Sequence, residues 1–327
     1  MSTRSTPSRA SVAVIVVRCD DRSERFVPPI LIDTDPGLDD ALALLYAWAD
    51  PGAHVVALTT VSGNVPLDVA TTNLLRLLAL RRPSPAPRIA AGADRPLVKA
   101  PVTAVRYHGA DGLGDIGGWP PVDLASVPRD AVALIAETAR AAAADFVLVT
   151  LGPLTNLALT VERDLAALRR VPRVVAMGGA VDVPGNVTPT AEFNLHVDPD
   201  AAARVLEAGL PLDWVPLDAT RQAVVTRAAF EEALRDRTGP LAERIARFTA
   251  RGFRVDTERG SPGMVLHDPL AIAAALDPTL VEWEPTRLAI GPDGQTRRAS
   301  GAPNCRFARR VDTARFLPRF LDRVCRG

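Results

Sequence analysis

Leu31-Ile32-Asp33-Thr34-Asp35-Pro36-Gly37-Leu38-Asp39-Asp40, followed by Ala41-Leu42-Ala43-Leu44-Leu45, is the stretch on which the reading of this chain turns. An apolar run, a Pro-Gly turn and a second apolar run opened by acids predict a buried strand, a tight turn and a helix start. Four carboxylates fall within these eight residues from Asp33 to Asp40. Crowded carboxylates repel one another unless a cation or a bound proton relieves them. They also sit at the carboxyl end of a predicted strand, where open α/β sheets take their ligands. A hard divalent cation, which prefers oxygen ligands, is the simplest occupant.

Working outward, the same alternation repeats. A strand is predicted over Val55–Val61, ending in Ser62-Gly63-Asn64, then a helix over Leu67–Leu80 and a short strand at Ile89-Ala90 after Pro83, Pro85 and Pro87. Helix Ala131–Ala144, strand Phe146–Leu151, strand Val174–Met177, helix Pro199–Ala208 and strand Leu212–Val215 continue the series. Such alternation predicts an α/β fold with a mostly parallel central sheet flanked by helices and a helical carboxyl-terminal part. Helices are predicted at Arg227–Arg235, Leu241–Arg251 and Leu270–Leu276, and a terminal hairpin pairing Leu288–Ile290 with Arg306–Ala308 around Asp293-Gly294. Val105–Pro121 is Gly-rich and without periodicity, a length of loop that is usually functional; Tyr107 and Trp119 in it are candidate lid residues. Thr155-Asn156 reads as a helix-start cap. Residues 1–28, rich in Ser, Thr and Arg at their start, read as a partly disordered extension containing the apolar run Val12–Val17, and residues 29–327 as one domain.

Composition narrows the class. With 327 residues, 47% of them hydrophobic, the chain can bury a large core. Thirty-eight basic and 38 acidic residues balance, which argues against a nucleic-acid or membrane surface. Cys19, Cys305 and Cys325 are too few and too scattered for a disulfide framework or a zinc site. Val12–Val17 is short for a signal-peptide core and no later run approaches a membrane span, so a cytoplasmic protein is expected.

Polar residues gather where predicted strands end, and in a parallel sheet those ends share one edge, so distant residues should converge on one pocket. Here the chain resembles the nucleoside hydrolases, the inosine-uridine preferring N-ribohydrolases. The resemblance rests on Asp33–Asp40, Ser62-Gly63-Asn64, His108–Gly114, Leu151–Asn156, Met177-Gly178-Gly179, Gly185–Pro189, Ala191-Glu192-Phe193-Asn194 and His267-Asp268-Pro269, in that order. It implies a Ca²⁺ ion held by Asp35, Asp40, Asp268 and the backbone carbonyl of Leu151, with Asp35 also the general base on the attacking water. It implies ribose binding by Asp39, Asn64, Asn186, Glu192 and Asn194, with Phe193 as pocket wall. His267 matches the leaving-group acid and His108 another histidine near the base; the sequence does not choose between them. The implied substrate is a ribonucleoside in salvage metabolism, and the implied assembly a homodimer or homotetramer.

Two other readings fit parts of the chain. Asp33-Thr34-Asp35 also resembles the opening of an aspartyl-phosphate phosphatase using Mg²⁺, except that Gly37 stands where that family has Thr or Val. A metal-dependent nucleoside-binding protein without turnover would carry the same residues. Gly112-Leu113-Gly114-Asp115-Ile116-Gly117 fits the dinucleotide fingerprint by letter, but no strand precedes it.

Overall fold

The computed structural model describes residues 27–326, with the backbone alone at Arg326. The run Val12–Val17, Cys19 and most of the amino-terminal extension lie outside the described residues. In chain order the first half runs β1 (Pro29–Thr34), α1 (Leu38–Ala49), β2 (His54–Thr60), α2 (Leu67–Arg81), β3 (Arg88–Ala91), α3 (Val105–His108), α4 (Ala131–Arg140), β4 (Val147–Thr150), α5 (Thr155–Leu168) and β5 (Arg173–Met177). It continues with α6 (Phe193–Val197), α7 (Pro199–Leu206), β6 (Leu212–Val215), α8 (Leu217–Thr220), β7 (Val224–Val225), α9 (Arg227–Leu234), α10 (Pro240–Glu258) and β8 (Met264–Val265). The last elements are α11 (His267–Leu276), β9 (Val281–Thr286), β10 (Leu288–Ile290), β11 (Thr296–Arg298), β12 (Cys305–Val311) and α12 (Thr313–Arg326).

Eight strands form the central sheet in the order β3-β2-β1-β4-β5-β6-β12-β9. Every neighbouring pair is parallel except β12 with β9. The strand opening the decisive stretch is therefore interior, and its composition says why. Ile30, Leu31 and Ile32 are all fully buried. Successive strand side chains point to opposite faces. Ile30 and Ile32 pack with α1, α11 and α12, whereas Leu31 packs with α4, α5 and α7 on the other face. A half-exposed strand could not carry three consecutive large apolar residues; one covered on both faces can.

Chain order and sheet order together place the site. From β1 the chain steps outward through β2 to β3, then returns to the far side of β1 with β4. The strand order reverses between β1 and β4, and that switch point opens a crevice at their carboxyl ends. The Asp35–Asp40 turn leaves one of these strands and Leu151-Gly152 the other. Leu151 N–H donates to Asp33 O at 2.8 Å, tying the two exits together.

The carboxyl-terminal hairpin differs from expectation. Leu288–Ile290 pairs with Thr296–Arg298, closing around Asp293-Gly294, and residues 306–308 instead belong to β12 between β6 and β9. Gly294 takes a positive φ of 91°, which makes the short closure accessible. Cys305, Phe307 and Ala308 are buried, so β12 gains more from the central sheet than from a surface hairpin. Elsewhere α10 extends to Glu258, beyond the predicted Arg251, and α11 begins at His267, which puts His267 and Asp268 in a first helical turn. Cys305 and Cys325 are buried free thiols. Among the described residues no helix is long and apolar enough to cross a membrane.

Candidate active site

The turn after β1 is built around Asp40. Gly37, with no side chain to cap α1, donates its N–H to Asp40 Oδ2 at 3.0 Å, so the third helical residue closes the helix start from inside. Asp40 Oδ1 accepts from the Thr34 hydroxyl at 2.5 Å and from Asp35 N–H at 3.3 Å. Asn64 arrives from the end of β2 and donates its side-chain amide to Asp40 Oδ2 at 2.9 Å, while its backbone N–H donates to Asp35 Oδ2 at 2.6 Å. Asp35 is fully buried, and its Oδ1 has no hydrogen-bond partner among the described residues. Glycines press on both of its oxygens: a Cβ on Gly63 would collide with Oδ2, and one on Gly152 would lie 2.5 Å from Oδ1. A side chain at position 63 or 152 would therefore displace this carboxylate.

Asp39, Asp40 and Asp268 offer carboxylate oxygens within 4.8 Å of one another. This acid group therefore contains Asp39 rather than Asp35, although the family resemblance implies a ribose-binding role for Asp39. Asp268 reaches this group from the first turn of α11. Burial, reinforced by the Asp40 charge and then by that of Asp39, raises the Asp35 carboxyl well above the usual carboxylate range. Burial followed by the Asp39, Asp40 and Asp35 charges does the same to Asp268. Burial, then the Asp40 charge, raises Asp39. Mutual repulsion of this kind is what a divalent cation relieves. The donor set fits a hard cation: an oxygen of Asp35 without a partner, three converging carboxylates, and the Leu151 carbonyl at the switch point are all oxygen.

Above this floor lies a cavity of about 630 Å³. Asp39, Asp268, Asn64 and Leu151 line its base, and His108 and His267 also reach it. Asn186, Glu192, Phe193 and Asn194 line it from the loop after β5 and the start of α6. Asp35 and Asp40, fully buried, lie beneath the lining. Asn194 Nδ2 donates to Leu151 O at 2.6 Å, joining the two sides of the crevice. Glu192 caps α6: Oε1 accepts from Asn194 N–H at 2.9 Å, and Oε2 from Gly179 N–H at 3.0 Å and Leu195 N–H at 3.3 Å. Burial raises its carboxyl while these backbone donors oppose the shift.

The two histidines are held differently. His108 Nδ1 accepts the Leu38 N–H at 2.9 Å, at the amino-terminal end of α1. His267 Nδ1 lies 2.7 Å from the Thr220 hydroxyl. Burial lowers both imidazoles to about 3; the next cause is His267 for His108, and Arg221 for His267.

Several residues reach the cavity that the sequence did not single out. Arg221, Asp256 and Arg259 line it, and the candidate lid residue Tyr107 joins them. Tyr107 donates its hydroxyl to Asp256 Oδ2 at 2.9 Å, and the Arg259 guanidinium sits 5.2 Å from the Tyr107 ring centre. Asp256 and Arg259 come from the end of α10 and the residue after it, the part of the helix that ran past its predicted end. Trp119 is not a cavity residue: the Arg244 guanidinium stacks on it at 4.4 Å, outside the site. Nor is Asn156 a cap. It is buried, donates to Asp33 Oδ1 at 2.8 Å and Thr60 O at 3.0 Å, and accepts from Ala93 N–H at 2.8 Å, clamping β1 and β2 to the loop after β3. Asp33 is fully buried and takes donors from Thr59 and Asn156, so the aspartate a phosphatase would use as nucleophile faces no cavity. The glycine run 112–117 is loop beyond α3, not a strand-to-helix turn.

Comparison with known proteins points in one direction. The family model described as inosine-uridine preferring nucleoside hydrolase matches residues 30–318. A pyrimidine-specific ribonucleoside hydrolase, RihA, of Salmonella paratyphi C is 39% identical over 254 residues, covering 77% of this chain and 80% of that protein. The structure of a purine-preferring ribonucleoside hydrolase from Gardnerella vaginalis superposes with a TM-score of 0.84 at 29% identity, covering 91% of this chain and 98% of that one. A plant nucleoside hydrolase structure gives the same TM-score and identity, covering 92% and 99%.

Proposed function

The chain belongs to the inosine-uridine preferring nucleoside hydrolases, and we propose that it is a Ca²⁺-dependent enzyme of nucleoside salvage, hydrolysing the N-glycosidic bond of ribonucleosides to ribose and free base. The observation that carries the reading is the convergence of Asp39, Asp40 and Asp268 on the floor of the cavity, with the unpartnered Oδ1 of Asp35 beneath it. Asp35, Asp40, Asp268 and the Leu151 carbonyl would hold the ion. When bound, it supplies positive charge that favours ionisation of water beside it and fixes the vicinal hydroxyls of the sugar.

The protein's own groups account for the rest of the reaction. Water adds to the anomeric carbon while the C–N bond breaks, and the bonding electron pair leaves on the base nitrogen. Asp35 takes the proton of the attacking water, a role open to its Oδ1, which has no hydrogen-bond partner among the described residues. Asp39, Asn64, Asn186, Glu192 and Asn194 hold the ribose, and Phe193 shapes the wall beside it. Asp39 reaches the cavity with the carboxylates of the floor and so favours the oxocarbenium-like transition state electrostatically. His267, the leaving-group acid that the family resemblance implies, gives the departing base its proton, with Thr220 orienting the ring. Burial lowers its imidazole in the free enzyme, so that proton is taken up with the substrate. The reading extends to one hydrolase domain over residues 29–327, a cytoplasmic location, and assembly as a homodimer or homotetramer.

The deciding measurement is base release from uridine, inosine and their commoner relatives, with and without a chelator. Release that stops on chelation and returns with Ca²⁺ is expected. Nucleoside binding without release from any substrate would replace the enzyme by a binding protein, and phosphate release from sugar phosphates would replace it by a phosphatase.

A further inference from the structure

The sequence leaves two histidines competing for one role, and the partner of each Nδ1 separates them. The donor facing His108 Nδ1 is the backbone N–H of Leu38, at 2.9 Å. A backbone amide can only donate, so this nitrogen must carry a lone pair, and the tautomer follows from the donor. The contact is built rather than incidental. The ring lies against Gly37, where any Cβ would collide with Nδ1, so the residue before α1 must lack a side chain for the imidazole to reach the helix end. His108 closes α3 with its own N–H on Ala104 O at 3.0 Å, and its carbonyl accepts Gly114 N–H at 2.8 Å, which fixes the backbone behind the ring.

We infer that His108 is locked as the neutral Nε2–H tautomer by the amino-terminal end of α1, and that it serves hydrolysis as a hydrogen-bond donor to the bound nucleoside, never as the acid. Its free nitrogen is Nε2, on a side chain that lines the cavity. The inference rests on the nucleoside hydrolase reading for the donor's target, but the tautomer stands on its own.

Burial, the helix end and the neighbouring cations act in one direction. The positive end of the α1 dipole meets the ring, and a cation there is unfavourable. His267 on α11 and Arg251 and Arg259 around α10 each disfavour a second positive charge. Tyr107 packs against the ring edge, with centres 4.8 Å apart. The acid on the facing helix, Asp39, follows Leu38 and lies in the carboxylate group of the floor. A neutral histidine held at a helix amino terminus and used as a donor is an established solution in another enzyme, triosephosphate isomerase. His267 contrasts with this arrangement, because the Thr220 hydroxyl at its Nδ1 can accept as well as donate.

The test is a long-range ¹H–¹⁵N imidazole spectrum of the full-length ¹⁵N-labelled protein between about pH 5 and 8, where free imidazole titrates. The chain has four histidines, so the His108 signals are assigned by their loss in His108→Gln. The expected pattern is an unprotonated Nδ1 and a protonated Nε2 that do not move across the range. A protonated Nδ1, or a midpoint inside the range, overturns the inference. Gly37→Ala should push the ring off the helix end and bring its titration back towards the free value; an unchanged, non-titrating ring in that variant also counts against the inference. In turnover, His108→Gln, which keeps a side-chain donor, should retain roughly tenfold more activity than His108→Ala, with the alkaline limb of the pH profile, where a general acid loses its proton, still present. Loss of that limb would make His108 the titrating acid. Failure of every nucleoside to react would sink the enzyme reading and leave the spectroscopic result to be judged separately.

Discussion

At the scale of single residues, Asp35 is the most constrained group in the site. It is fully buried, with glycines pressed on both oxygens and one oxygen without a partner. Replacement by Asn keeps the volume and removes the basic oxygen. Asp35→Asn should lower kcat by about 10³-fold, the middle of the range for a general base, with a folded protein by circular dichroism. A rate within a few-fold of normal would remove Asp35 as the base. His267→Ala should act unequally on purine and pyrimidine nucleosides, because bases differ in how much they need protonation to leave. Comparing kcat/KM for inosine and uridine checks it, and equal losses would remove His267 as the acid. The names of these residues and their turns were legible in the sequence, since Asp-x-Asp-Pro-Gly after an apolar strand declares its chemistry locally. The grouping of Asp39 with Asp40 and Asp268, and the distinct partners of the histidines, were not, because they depend on atoms contributed by other elements.

At the scale of elements, the segment from α3 to Gly118 has little regular structure of its own and is held by one helix face. Arg244, Arg247 and Arg251 of α10 recur at helical spacing and donate to backbone carbonyls of this segment. Arg251 does most: Nε donates to Tyr107 O at 2.9 Å, Nη2 to Arg106 O at 3.1 Å and Val105 O at 3.3 Å, and Nη1 to Asp115 at 3.2 Å. It satisfies the carboxyl-terminal carbonyls of the short helix that carries Tyr107 and His108 into the cavity. Arg251→Met retains the stem and deletes the donors. Faster amide exchange confined to residues 105–118 and a KM raised by roughly tenfold are expected, from the loss of a few hydrogen bonds worth about 1 kcal/mol each. Unchanged exchange there would show that the loop is held by something else. The sequence marked this loop as Gly-rich and irregular. That a row of arginines more than a hundred residues later would anchor it has no local signature, since Arg at i, i+3 and i+7 reads equally as a solvated helix face.

At the scale of the molecule, the site stands where the sheet changes direction, and its parts come from the ends of β1, β2, β4 and β5 and from α11. A cation bridging Asp35, Asp40 and Asp268 would join residues more than two hundred positions apart and relieve repulsion that otherwise opposes the folded state. Ca²⁺ at about a hundred times its Kd should therefore stabilise the fold by about 3 kcal/mol and raise the melting temperature by several degrees. Differential scanning calorimetry with Ca²⁺ and with a chelator measures it, and coincident transitions would count against a bound ion.

By itself the sequence determined the alternation of strands and helices, the interior position implied by three consecutive large apolar residues, and the residue types available at each strand end. These are local properties, written in hydrophobic period and turn chemistry. Only the tertiary structure decided that residues 305–311 join the central sheet, that Asn156 clamps β1 and β2 instead of capping α5, and that His108 meets a backbone donor. Each of those outcomes is a competition among distant partners for the same strand edge, the same buried acceptor or the same lone pair. Burial and hydrogen bonding in the assembled fold settle such competitions, and no window of sequence contains all the competitors.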